Sequence, residues 1–144
     1  MNNLLHKIEA TWDRAEGASP EDIGDTERTL KVRFPADYCT FVEWSNGGHG
    51  LIGKTRLALW ELDELEQLNS DYQISSYLPG VFGIGTDGGG ECYALDFRKS
   101  RDMPALIQVP LGDLRKESIT ALAPSFLKWL EDLLKENEDL ENLP

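Results

Sequence analysis

The sequence predicts a single α+β domain: three helices, then a run of short strands, then one closing helix. Three observations predict it. Apolar residues recur at helical spacing over the first third, alternation around a glycine turn marks the middle, and a helical stripe of leucines returns near the end. At 144 residues the chain is expected to form one domain, 1–144, with a core that needs no metal or disulfide.

Leu4, Leu5, Ile8 and Trp12 lie on one face of an amphipathic helix expected over 4–15, which Gly17 and Ala18 interrupt. Ser19-Pro20-Glu21-Asp22 is a helix start: a capping hydroxyl, a proline suited to the first turn, and acids at the positive end of the dipole. That helix is expected to reach about Lys31, with Ile23 and Leu30 inward. Phe34-Pro35 separates it from a third helix over 36–45, carrying Tyr38, Phe41, Val42 and Trp44. Asn46-Gly47-Gly48 then supplies a left-handed stop. A glycine-rich loop through Gly50 and Gly53 is expected next.

Leu57 and Leu59 predict a short strand. Leu62, Leu65 and Leu68, three apart, predict a short helix or turn over 61–69, and residues 72–80 read as loop. Val81–Gly85, Cys92–Phe97 and Ala105–Val109 read as strands, with a further one within 116–122. Phe126, Leu127, Leu130, Leu133 and Leu134 stripe a final helix that begins near Pro124. Its acidic end opposes the helix dipole, so residues 136–144 are expected to fray.

The run Gly83-Ile84-Gly85-Thr86-Asp87-Gly88-Gly89-Gly90 contains the G-x-G-x-x-G spacing of dinucleotide-binding turns. That chemistry requires a helix after the glycines, because the pyrophosphate sits on the helix N-terminus. Glu91–Phe97 instead alternates and is rich in aromatics, and no Lys-Ser/Thr pair follows as a phosphate loop would need. The run is therefore expected to be a hairpin turning at Asp87-Gly88.

The charge balance is strongly acidic: 26 Asp and Glu against 14 Lys and Arg, a formal charge of −12. Such a chain repels nucleic acid and anionic membranes and attracts basic partners. Cys39 and Cys92 are expected to be reduced and partly buried, as in a cytoplasmic protein, and no spacing fits a zinc site. No secretory signal and no membrane span are read from the sequence.

Few side chains point to chemistry. His6 is expected to be solvated. Cys92 and His49 both adjoin glycine-rich segments and make a conceivable nucleophile–base pair, although Cys92 falls within an expected strand. Glu61, Asp63, Glu64, Glu66 and Asp71 form an acidic run with no base between. It reads either as a solvated helix face or as a docking surface for Lys and Arg. Trp12, Trp44 and Trp129 read as packing residues. Trp60, directly before the acidic run, has the position of an interface anchor.

The order "FPADYCTFVEWSNGG", "LALWELDELEQLN", "VFGIGTDGGGECYALDF", "PALIQVP" and "PSFLKWLEDLL" resembles the SUKH superfamily, shared by yeast cell-wall-assembly regulators and many bacterial immunity proteins. The resemblance covers about residues 4–135. It departs from the family at Phe34, where leucine is common, and at the third glycine of the turn. It implies a central, mostly antiparallel sheet packed with the N-terminal helices and one C-terminal helix. It also implies no enzyme and no cofactor, but a cytoplasmic protein that binds and neutralises a toxin, often a basic nuclease. A regulatory scaffold binding endogenous proteins is the alternative. On this reading Trp60, Glu61, Asp63, Glu64, Glu66, Asp71 and Tyr72, together with Asp87 and Glu91 of the glycine turn, are the expected contact residues.

Overall fold

The computed structural model describes residues 1–141, with side chains through residue 136. Of the tail expected to fray, the side chains from 137 and all of residues 142–144 lie outside the described residues. Seven strands form one sheet: β1 (Trp12–Asp13), β2 (Gly48–Ile52), β3 (Thr55–Leu59), β4 (Val81–Thr86), β5 (Glu91–Asp96), β6 (Ala105–Pro110) and β7 (Thr120–Ala123). They lie side by side in chain order, each antiparallel to its neighbours. The helices are α1 (Asn2–Glu9), α2 (Pro20–Leu30), α3 (Ala36–Trp44), α4 (Leu62–Asp71), α5 (Ile74–Tyr77) and α6 (Phe126–Glu141). The architecture is the expected α+β one.

Both faces of the central strands are buried. On one face Tyr93, Leu95 and Leu106 share a core with Tyr38 and Phe41 of α3 and Phe126 and Trp129 of α6. The rings meet edge to face, with Tyr38 and Phe41 at 5.4 and 5.5 Å from Phe126, the geometry aromatic quadrupoles favour. On the other face Cys92, Ala94, Ile107 and Val109 pack under Ile74 of α5 and Leu78 just after it. The Ser19 hydroxyl accepts the Asp22 amide as the sequence predicts.

Asp37 joins the ends of the chain. One carboxylate oxygen accepts the Tyr38 amide at 2.7 Å, and the other accepts the Leu127 amide at 2.9 Å, so an α3 side chain caps α6. Asn46 works in the same way. Its side-chain oxygen accepts the Leu62 amide at 2.9 Å and so caps α4. The left-handed residue of that junction is Gly47 (φ +82°), whereas Ser45, directly after α3, is extended.

Two expectations change at the N-terminal edge. The first helix stops at Glu9, and Trp12–Asp13 pair with Gly50 and His49, so the segment expected as a glycine loop is strand β2. The glycines permit this pairing. A Cβ on Gly50 would lie 2.3 Å from the Thr11 carbonyl oxygen, and one on Gly48 would lie 2.6 Å from the Trp12 indole nitrogen. That indole donates to the buried Ser45 hydroxyl at 3.3 Å, and the Ser45 oxygen also accepts the Ala15 amide. Further along, α4 extends to Asp71 and the expected loop 72–80 contains α5. The strand expected within 116–122 is a 3-10 turn at Lys116–Ser118 followed by β7.

The junction of β3, α4 and β4 is polar and buried. β3 pairs with β4 only at Ala58–Thr86 and Leu59–Gly85, then leaves the sheet. A bulge at Gly83–Gly85 turns the Ile84 side chain fully into the core. Where β3 has gone, the Asn69 amide takes its place: it donates to the Gly83 carbonyl at 2.9 Å and accepts the Gly83 N–H at 2.8 Å. Asn69→Leu keeps the branched outline but orphans both backbone groups. It should cost roughly 2–4 kcal/mol, read as a fall in the urea midpoint with unchanged slope. A loss below about 1 kcal/mol would show that Gly83 finds other partners.

Candidate functional site: an acidic cleft beside Trp60

Side chains alternate along β1, β2 and β3, and the register places Asp13, His49 and Ala58 in one row on the same face. Trp60 follows on that face, just past β3, where its N–H donates to the Ile84 carbonyl at 2.9 Å. Asp13 and His49 are exposed, so this part of the sheet has no helical cover. Between it and the start of α4 lies an open cleft of about 420 Å³. Asp13, His49, Trp60, Glu61 and Glu64 are among its lining residues.

The charges in the cleft are mostly negative. Arg14 also lines it, but its guanidinium is occupied: Nε donates to the Trp44 carbonyl at 2.7 Å and the group stacks over the Trp44 ring at 4.9 Å. His49 Nε2 lies 2.9 Å from an Asp13 carboxylate oxygen. Glu61 and Glu64 form a reciprocal capping box at the start of α4. Loss of hydration, followed by repulsion from Asp63 and Glu64, holds the Glu61 carboxyl above the usual carboxylate range.

Trp60 is half-buried and stacks on exposed Tyr72, with ring centres 6.2 Å apart and planes 11° from parallel. The two expected anchors therefore form one aromatic unit. The remaining acids of α4 are all exposed but spread out. Helical spacing places Asp71 on the stripe of Glu64, and Asp63 and Glu66 on a neighbouring stripe. Asp71 accepts a 2.6 Å hydrogen bond from Gln67.

The glycine turn is the expected hairpin. One Asp87 oxygen accepts the Gly89 amide at 2.8 Å and the Glu91 amide at 3.3 Å, shaping the turn. Alternation along β5 puts Glu91 on the Tyr93 side of the sheet, opposite Trp60. The turn's nearest neighbour at Gly88 is the Arg56 side chain. Gly83 and Gly85 are glycine for want of space: Cβ atoms there would meet Ile74 at 2.8 Å and the Ala58 carbonyl at 2.6 Å. Asp13 and His49 are the cleft residues that sequence reasoning did not place there, because only the pairing of β1 with β2 brings them beside Trp60.

His49 and Cys92 are not brought together. The rows pair His49 with Ala58, Ala58 with Thr86 and Thr86 with Cys92, a separation of three strand spacings or roughly 14 Å. Burial, followed by the Glu91 charge, pushes the Cys92 thiol up to about 12. Cys39, half-buried, is pushed up to about 11, first by burial and then by Glu27 and other carboxylates. Among the described residues no group of three or more His, Cys, Asp or Glu side chains is placed to hold a metal ion, and no helix is long and apolar enough to cross a membrane. The buried thiolate is the nucleophile these environments disfavour. A chromogenic disulfide reagent at pH 8 should therefore react slowly with the native protein and with both cysteines at once in denaturant. Rapid native labelling of Cys92 would contradict the packing under α5.

A comparison with curated proteins returns no match. The model of the SMI1 / KNR4 family (SUKH-1) matches residues 17–132. That span runs from α2 into α6 and includes the Asp37 and Asn46 caps, the bulged β4 and the Asp87 turn. The chain belongs to the SMI1 / KNR4 (SUKH-1) family.

Proposed function

We propose that this protein is an immunity protein, which binds a cognate toxin domain through the open face beside Trp60 and acts by binding, without catalysis. Family membership supports a protein partner in general. The observation that carries the finer reading is the cleft itself: Asp13, Glu61 and Glu64 line it together with Trp60, whose ring stacks on exposed Tyr72. A Lys or Arg side chain entering there would relieve the repulsion at Glu61 and lay its aliphatic stem on the rings. A toxin that holds phosphates is basic, so it presents such side chains, and the chain's −12 charge would speed its approach.

The reading is tested by affinity capture from the native strain at low and high salt, followed by co-expression of the captured domain. A single toxin domain in near-equal amount, whose toxicity the protein suppresses, is the expected result. A mixture of endogenous regulators would favour the scaffold role. Tyr72→Ala should weaken the complex by about 1–2 kcal/mol, as expected for an aromatic anchor, with little change in fold stability. Glu61→Gln retains a capping oxygen but removes the charge.

The pH dependence has a definite sign. As pH falls from 7, Glu61 takes up its proton before carboxylates with ordinary values, so affinity for a basic partner should begin to fall earlier than those carboxylates alone would dictate. Glu61→Gln should bind more weakly at pH 7 and lack that early fall. An unchanged pH profile in the variant would remove Glu61 from the interface.

A further inference from the structure

At the open end of the β4–β5 hairpin, opposite its glycine tip, a second and larger groove of about 890 Å³ runs between the end of α2 and the strands. Its lining differs from that of the acidic cleft. Val32, Val81, Phe82 and Phe97 supply apolar lining, and Arg28, Lys31, Arg33 and Arg101 are the basic residues around it. Four of the chain's 14 basic residues thus line one groove of a protein with 26 acids.

The groove keeps a positive balance even after its ion pair is counted. Only two acids line the groove. Glu27 is engaged, accepting the Phe34 amide at 2.8 Å, which leaves Asp102. Arg28 is paired with Asp25. Among the described residues the side chains of Lys31, Arg33 and Arg101 have no ion-pair or hydrogen-bond partner. Backbone bonds fix both walls of the groove. Lys31 closes α2 in the left-handed conformation (φ +54°), and the Val32 amide returns to the Glu27 carbonyl at 3.1 Å. Across the groove, the Phe97 amide bonds the Gly80 carbonyl at 2.8 Å and fixes the hairpin's open end.

We propose that this groove binds a short acidic peptide segment of a partner protein, with carboxylates on Lys31, Arg33 and Arg101 and an apolar side chain against Phe82 and Phe97. Charge complementarity selects the occupant. Three unpaired cations beside apolar surface match a segment that mixes Asp or Glu with a hydrophobic residue. A long nucleic acid would extend past the groove into the field of a chain carrying −12. The open sides suit an extended chain more than an enclosed small molecule. The proposal does not rest on the acidic cleft, whose lining shares no residue with this groove.

The test uses the full chain and a fluorescein-labelled peptide rich in Asp and Glu around a central Leu-Phe, read by fluorescence anisotropy at moderate salt. Saturable binding is expected. It should weaken by about tenfold in the Arg33→Glu, Arg101→Glu double variant and by less than twofold in the control pair Lys54→Glu, Lys116→Glu, which removes the same net charge elsewhere. Circular dichroism and the urea midpoint establish that each variant is folded. If the double reversal unfolds the chain, Arg33→Gln with Arg101→Gln replaces it. Absence of saturable binding overturns the proposal, as does an equal effect of the control pair. Full displacement by millimolar inorganic phosphate would make the groove a small-anion site, and tighter binding of a single-stranded oligonucleotide would make it a nucleic-acid site. Either result also overturns it.

Discussion

The arrangement around the acidic cleft depends on one side-chain amide imitating a strand. When β3 leaves the sheet, Gly83 of β4 loses its ladder partner inside the protein, where an unpaired N–H or C=O is costly. Asn69 fills both places at 2.8 and 2.9 Å and also donates to the Leu65 carbonyl one turn back along its own helix. A side-chain amide has the donor and the acceptor side by side that this pairing needs. The consequence is positional. α4 is pinned along the edge that β3 vacates, so its first turn, with Glu61 and Glu64, cannot move away from Trp60. Gly83 itself has no room for a Cβ because Trp60, Ile74 and the Cys92 sulfur occupy the space, so the same contact that anchors α4 also seats the Trp60 ring.

The remaining fixed points follow the same logic of polar groups reaching across the chain. Asp37 caps α6 from α3, Asn46 caps α4 from the end of α3, and Ser45 ties the Trp12 indole to the start of β2. These residues stand in stretches that the sequence marks clearly as helix starts and stops. Their local grammar was legible: Asp37 in a first turn, and Asn46 before two glycines. Their partners were not, because a cap that spans 90 residues leaves no periodicity to read. The same limit explains the N-terminal edge. Trp12 falls at i+8 from Leu4 and reads as helix, whereas its strand pairing depends on the absence of side chains at Gly48 and Gly50, far along the chain. Strong periodic segments such as α2, α3 and α6 and the β4–β5 hairpin were legible because their evidence is local. β5, buried on both faces, still alternated visibly because its acids sit at the ends.

Site residues divide along similar lines. Trp60, Glu61 and Glu64 are adjacent in sequence and remain adjacent in space, so their association could be read from the chain. Asp87 and Glu91 bracket the turn expected as a contact region; one shapes that turn and the other lies on the opposite face from Trp60. Asp13 and His49 reach the cleft only through sheet register. An acidic run is thus informative about a surface only once it is known which of its carboxylates are engaged in capping and which have no protein partner.

Net charge hides a similar division. A balance of −12 describes the chain as a whole, yet at the range of a Debye length, about 8–10 Å, a partner meets local charge and not the total. The cleft beside Trp60 gathers carboxylates, with Glu61 raised by loss of hydration and then by repulsion from Asp63 and Glu64, while the groove at the open end of the hairpin gathers cations with few counterions. Separating the two signs has a physical cost in self-repulsion at each patch, and a fold built only for solubility would intersperse them. The rigid sheet keeps the patches apart, because β4 and β5 are paired along most of their length and buried on both faces. The two surfaces of opposite sign share no lining residue, so a partner bound at both would have to present both signs of charge. The chain's bulk acidity would govern only the approach, and the local arrangement of side chains would govern what stays bound.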